Sequence, residues 1–228
     1  MSTPNEVKKN ILKDWSAEFP ILYTFAQDKL YKIIGPVIVG LELTKLPRSD
    51  DYRPHFVCYP LWKGNEKECL EESLILREIV NRRGLQFNIP YLKHENYFVE
   101  AAGCVRDQIQ ISFEKDVSLE SMFELIDYQF GHILIKSSPV GQAKLYELKL
   151  LAALYVEDFE SAIKILNEIE KAGRAWLPNL FEWKYGKFVT WFKTLEERVS
   201  NRGEFMRHVQ INKQDKKLSK LHISELKI

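Results

Sequence analysis

Gly35–Leu46, GPVIVGLELTKL, is where the pattern of the chain changes. Gly35-Pro36 punctuates it, Val37–Val39 are β-branched, and Leu41 and Leu43 then alternate with Glu42 and Thr44. β-Branched side chains suit a pleated surface, and a period of two turns one set of residues onto a buried face. The segment predicts a strand over 37–46. A polar linker, Pro47–Arg53, follows, and His55–Trp62 reads as the returning strand of an antiparallel hairpin with a longer loop. Pro54 and Pro60 lack N–H donors, which predicts a second strand that is short or lies at a sheet edge.

Working outward, Asn5–Trp15 reads as a helix with Pro4 at its first position and Ser2 or Thr3 as cap, its stripe formed by Val7, Ile11, Leu12 and Trp15. Leu22, Phe25, Ala26, Leu30 and Ile33 predict a second helix within 21–34. Downstream, Cys69, Leu70, Leu74 and Val80 predict an amphipathic helix over 66–83, ended by Gly84. Gln108–Phe113 alternates cleanly and reads as a strand, Ser118–Tyr128 as a helix capped by Ser118, and Gly131–Lys136 as a further short strand. Beyond Pro139 the chain reads as helical. The fold class is therefore α+β: a small antiparallel sheet of three or four strands (37–46, 54–62, 108–113, 131–136) with flanking helices, followed by an all-helical C-terminal half. The stretch KSSPVG at 136–141 divides an α+β portion, 1–138, from a helical portion, 139–200, packed on it. Residues 201–228 form a basic tail, and the aromatic density on both sides of the division predicts one compact unit.

Leu150–Ala172, LLAALYVEDFESAIKILNEIEKA, carries a helix pair with small residues where the helices touch. Leu150, Leu151, Leu154 and Tyr155 recur at helical spacing, Asp158 is placed to cap the second helix, and Ala162, Ile163, Leu166 and Ile169 form its stripe. The pattern resembles a single tetratricopeptide-like unit over about residues 144–172, with no second copy at the 34-residue period that such arrays need. The resemblance implies a surface for packing or for holding another chain.

The 33 basic and 32 acidic side chains nearly cancel, leaving +1, so the chain lacks the overall basic footprint of a nucleic-acid binder. The three cysteines, Cys58, Cys69 and Cys104, fit no metal spacing and read as reduced thiols. The charged N-terminal run is not a secretion signal, and no apolar stretch approaches the roughly 20 residues that span a bilayer, so a cytoplasmic location is expected. No HExxH, CxxC, G-x-S-x-G or phosphate-loop pattern occurs. No catalytic residue, metal ligand or cofactor is assigned.

Two clusters remain. Arg48, Arg53 and His55 fall in a polar stretch, RSDDYRPH, at a strand connection, where two guanidinium groups are placed to clamp a carboxylate or phosphate. Residues 176–192 hold seven large rings; Trp176, Trp183, Tyr185 and Trp191 are the interface candidates, because Trp183 and Tyr185, two apart, cannot both face inward on one helix. The expected function is a non-enzymatic, cytoplasmic protein-binding module of immunity, accessory or scaffold type, its partner another protein. The alternatives are an enzyme with its site near 48–55, or a nucleic-acid-associated protein acting through the basic tail, which the near absence of stacking rings there disfavours.

Overall fold

The computed structural model describes residues 4–228. Ser2 and Thr3, the expected caps of the first helix, lie outside the described residues. Helix α1 (Pro4–Glu18) buries Ile11 and Trp15. The helix expected over 21–34 is instead a hairpin, β1 (Tyr23–Ala26) and β2 (Lys29–Ile34), joined at Gln27-Asp28. Every residue of β2 from Leu30 to Ile34 is buried, so it has no solvent face to reveal a period of two.

Gly35, at φ +54°, turns the chain into β3 (Val37–Lys45), which pairs along its whole length with β4 (Asp51–Pro60). The linker is thus shorter than expected, because Asp51, Tyr52 and Arg53 already belong to β4. The connection runs through α2 (Glu66–Cys69) to β5 (Ile75–Glu78) and β6 (Ile89–Pro90), both of which pair with β4. β4 is therefore central rather than an edge. Its prolines are placed where this is harmless. The carbonyls of Pro54 and Cys58 accept from Ile79 and Leu74 on the β5 side, so the N–H groups that Pro54 and Pro60 lack would point the same way. β5 covers only His55–Cys58, leaving Pro54 and Pro60 just beyond its two ends.

The long helix expected over 66–83 exists only as its first turn, α2. Residues 75–78 form a strand that satisfies the outer backbone groups of β4, and this pairing overrides the helix propensity of a Leu- and Glu-rich segment.

Helix α3 (His94–Gln108) takes the place of the first residue of the strand expected at 108–113. Ile109, Ile111 and Phe113 are buried while Gln110 and Ser112 are exposed, so the alternation is real, yet the segment makes no ladder. After β7 (Val117–Ser118), helix α4 (Leu119–Phe130) is capped as expected, Ser118 Oγ accepting from the Ser121 N–H at 3.1 Å. The strand expected at 131–136 is a helical turn, α5 (Ile133–Lys136).

The C-terminal half is helical: α6 (Pro139–Tyr155), α7 (Phe159–Gly173), α8 (Pro178–Tyr185), α9 (Phe188–Ser200) and α10 (Arg202–Lys213). Asp158 caps α7 as read, at 3.0 Å from the Ser161 N–H. The tail then returns to the sheet, β8 (Ile223–Ser224) pairing parallel with β2 and β9 (Leu226–Lys227) with β7. The protein is thus α+β, with a main sheet ordered β1-β2-β3-β4-β5 and antiparallel along that path.

One face of this sheet, with Tyr52 and Phe56, packs on α1, α3 and the segment around Phe113. Trp15 Nε1 donates to Tyr52 Oη at 3.1 Å, which in turn meets His94 Nδ1 at 2.7 Å. Trp62 Nε1 ties the chain just beyond β4 to α6 by donating to Glu147 Oε1 at 3.1 Å. Among the described residues no helix is long and apolar enough to cross a membrane.

Candidate functional site

The sheet register sets a row of polar residues across four strands. Lys29 on β2 pairs with Glu42 on β3, Glu42 with His55 on β4, and His55 with Glu78 on β5. Directly opposed residues share a face, so these side chains form one continuous rung. Glu42 Oε1 accepts from Lys29 Nζ at 3.1 Å, from Tyr59 Oη at 2.8 Å and from Tyr31 Oη. Burial alone would raise the Glu42 carboxyl, but these three donors hold it below the usual carboxylate range. Burial and the adjacent carboxylate push both phenols up in return.

The other end of the rung opens into a cleft of about 620 Å³ between β5 and the α4–α5 region. Glu78 Oε1 accepts from Arg53 Nη1 at 2.9 Å, and its carboxylate also accepts from Gln86 Nε2. His55 Nε2 lies 3.8 Å from Glu78 Oε1, too far for a hydrogen bond. Burial pushes the His55 imidazole below its ordinary value, against the pull of Glu78 and the Arg53 backbone. His55 Nδ1 has no hydrogen-bond partner, and neither does Gln129 Nε2 on α4, which lines the same cleft. Both nitrogens are buried out of reach of solvent, so neither opens into the cleft that their residues line.

Arg53 and His55 are thus brought together, with Glu78 between them. Arg48 is not part of this group: it sits exposed at the β3–β4 turn, at φ +63°. Arg53 is also engaged by the Phe87 carbonyl at 2.8 Å and by Asn88 Oδ1 at 2.7 Å. The paired arginine clamp therefore does not form. Glu42, Glu78 and Gln129 were missed by the sequence reading. Glu42 was visible as the polar member of an alternating strand, but its partners follow from register, which one strand alone does not show.

Cys58, Cys69 and Cys104 are buried free thiols. Burial pushes all three up, Cys69 to about 11, which keeps them protonated and poorly nucleophilic.

The aromatic cluster separates into two layers. Phe181 is buried and stacks on Trp176 and Tyr185, with ring centroids 5.2 and 5.1 Å apart, and Trp191 meets Phe181 edge-on at 5.2 Å. Trp176 and Tyr185 are half-buried and Trp191 is buried. Trp183 faces outward at 72 % exposure, with Leu177 and Leu180 on the same side of α8 also exposed. The expectation that at least one of these rings stays open is met at Trp183. Its Nε1 donates to the Leu180 carbonyl at 3.1 Å, folding the indole back along its own helix.

No family model, curated protein or solved structure matches the chain.

Proposed function

We propose that the protein acts by binding another protein, through the ridge that Leu177, Leu180 and Trp183 form along α8. The observation that carries this reading is Trp183, 72 % exposed yet pinned by its hydrogen bond to the Leu180 carbonyl. Tryptophan is among the residues that dominate interface energetics, and removing apolar surface from water gains on the order of 25 cal/mol per Å². A ring already held in place loses little freedom on binding, so more of that gain survives as affinity.

The layer beneath supports the same reading. Phe181, Trp176, Tyr185 and Trp191 pack ring on ring under α8, and Lys184 fixes the helix to Glu72 at 2.8 Å. The ridge stands on a rigid base. Three of the tail's cations, by contrast, are taken up within the chain: Arg202 donates to the Leu154 and Tyr155 carbonyls, Lys217 to Glu66 and Lys227 to Asp116. This favours a protein over a nucleic acid as partner.

A photo-crosslinking amino acid placed at position 180 tests the reading in living cells. Position 99 on α3, where Val99 is 79 % exposed away from the ridge, is the control. A discrete adduct with another protein at 180 and none at 99 is the expected result. Equal adducts at both positions, or none at either, contradict the reading.

A further inference from the structure

We infer that β5 takes up an extended segment of a partner protein as an added strand, laid in the cleft between β5 and the α4–α5 region, and that this segment brings a carboxylate to Arg77. The surface is separate from the α8 ridge, and the inference does not depend on it.

The backbone comes first. β5 ends the order of the main sheet and pairs only with β4. The Ile79 N–H donates to the Pro54 carbonyl at 3.2 Å, and Arg77 opposes Phe56 in the same register. Alternate residues of an antiparallel ladder turn their N–H and C=O toward the partner strand, so those of Leu76 and Glu78 turn away from β4. Further along the same outward edge, at Val80, the groups are already capped. Gln108 Oε1 accepts from the Val80 N–H at 3.1 Å, and Gln108 Nε2 donates to the Val80 carbonyl at 2.6 Å. A side-chain amide thus stands at Val80 where a neighbouring strand would place a peptide group. Among the described residues no group does the same for Leu76 and Glu78, and both line the cleft.

The cleft has the shape and lining for such a strand. An open sheet edge is a template for pairing, and proteins usually blunt it with proline, charge or a covering element. Beside β5 there is instead a cleft of about 620 Å³. Leu76, 62 % exposed, and Leu134, 69 % exposed, both line it, together with Ile135 and Leu145. An added strand alternates its side chains, so every second one meets this apolar lining while its backbone pairs with the edge. A volume of that size suits a few residues of extended chain rather than the walled edge of a second copy.

Charge sets the chemistry of the segment. Glu78 is matched by Arg53 at 2.9 Å. Arg77 meets no carboxylate among the described residues: its guanidinium donates to Gln110 Oε1 at 3.0 Å and lies 4.1 Å from the centre of the Tyr128 ring. Arg82 and Arg83, exposed in the turn beyond β5, add positive charge on the same side. A partly buried guanidinium without an ion partner gains most from a carboxylate brought to it by the bound chain.

The test starts from a phage-displayed library of random peptides of about 12 residues, longer than the about five or six of a typical strand, selected on the full chain. Enriched peptides are expected to alternate apolar residues around an Asp or Glu. A synthetic copy of one is then titrated into the full chain, with amide hydrogen exchange at Leu76 and Glu78 read by NMR. Exchange at both amides should slow by about tenfold or more on binding. The peptide should bind about tenfold more weakly to Arg77→Gln. Two further copies, N-methylated at one or the other alternate set of peptide nitrogens, leave the protein unchanged and so carry no risk to its fold. Methylation of the set that faces β5 should abolish binding, and methylation of the other set should leave it nearly intact. The inference is overturned if no peptide is enriched, if the two methylated copies bind alike, if Arg77→Gln binds as the parent does, or if exchange at Leu76 and Glu78 is unchanged. A dimer in solution that Leu76→Pro converts to monomer would also overturn it, by giving the edge to a second copy of the chain.

Discussion

The Lys32 ammonium on β2 donates to Ser224 Oγ on β8 at 2.6 Å, joining the N-terminal sheet to the last residues of the chain. Lys32 is fully buried, and its second acceptor is the Phe113 carbonyl at 2.5 Å. Burial pushes this ammonium below its ordinary value, with Asp116 pulling the other way. Asp116 also accepts from the Glu225 N–H and from Lys227, so the tail is held at three points in four residues.

Ser224→Ala should therefore destabilise the protein by about 1–3 kcal/mol, the range for leaving a buried donor short of a partner. Urea unfolding measures it. A change within about 0.5 kcal/mol, the usual size of a surface substitution, would show that the strap contributes little.

Glu147 is buried on α6 and is served by Trp62 Nε1 and by Arg198 Nη1 at 3.1 and 2.5 Å. Burial raises its carboxyl, but Arg198 and Lys63 overcome this and keep it ionised. Arg198→Ala strands that charge. The loss should lie toward the lower end of the about 3–5 kcal/mol typical of such breaks, since Arg198 itself is partly exposed. Glu147→Gln in the same background should recover part of it. A double variant no more stable than Arg198→Ala would count against an electrostatic origin.

The pH dependence follows from His55 and His94, both held below their ordinary value of 6.5, mainly by burial. As pH falls below 6.5 the unfolded chain takes up protons that the folded histidines resist, so stability present above 6.5 is lost toward their lowered folded values. Unfolding midpoints compared at about pH 7.5 and about pH 5 should show the decline, and His94→Gln should flatten it. A midpoint that rises on acidification across this window would reverse the sign and refute the assignment.

Gly40 lies where β2 and β3 approach closely: a Cβ there would sit 1.9 Å from the Leu30 carbonyl oxygen. Gly40→Ala forces backbone to move in a central strand and should cost about 1–3 kcal/mol or more, read by thermal unfolding. An unchanged midpoint would mean that the sheet opens freely at this point.

What the sequence revealed depended on whether an element had one buried face. β3, α4 and α7 each show a clear stripe or alternation with a recognisable boundary at Gly35, Ser118 or Asp158, but the face of α7 is turned from the one expected: Ala162, Ile165 and Ile169 are buried while Ile163 is exposed. β2 is buried on both sides and β5 is set by pairing with β4, so local pattern misled in both cases. The alternation at 109–113 reported burial faithfully but not hydrogen bonding. The site was less legible still. His55 could be picked out as a residue, but Glu42 and Glu78 are set opposite its row by register and Gln129 comes to the same cleft by the packing of α4, and neither leaves a mark in local spacing. The exposed ring at Trp183 was accessible to reasoning because helical geometry alone forbids Trp183 and Tyr185 from pointing the same way.

The central claim, a protein-binding ridge on α8, is tested most directly by quantitative affinity capture from a lysate of the native host, comparing the parent chain with Trp183→Ala. The account predicts a partner retained in near-stoichiometric amount by the parent and reduced about tenfold or more by the variant, as removal of about 2 kcal/mol of binding implies, with the thermal midpoints of the two proteins matching because Trp183 is exposed. Capture of the same partner in equal amount by both chains, or a loss of binding that merely tracks a loss of stability, would contradict it.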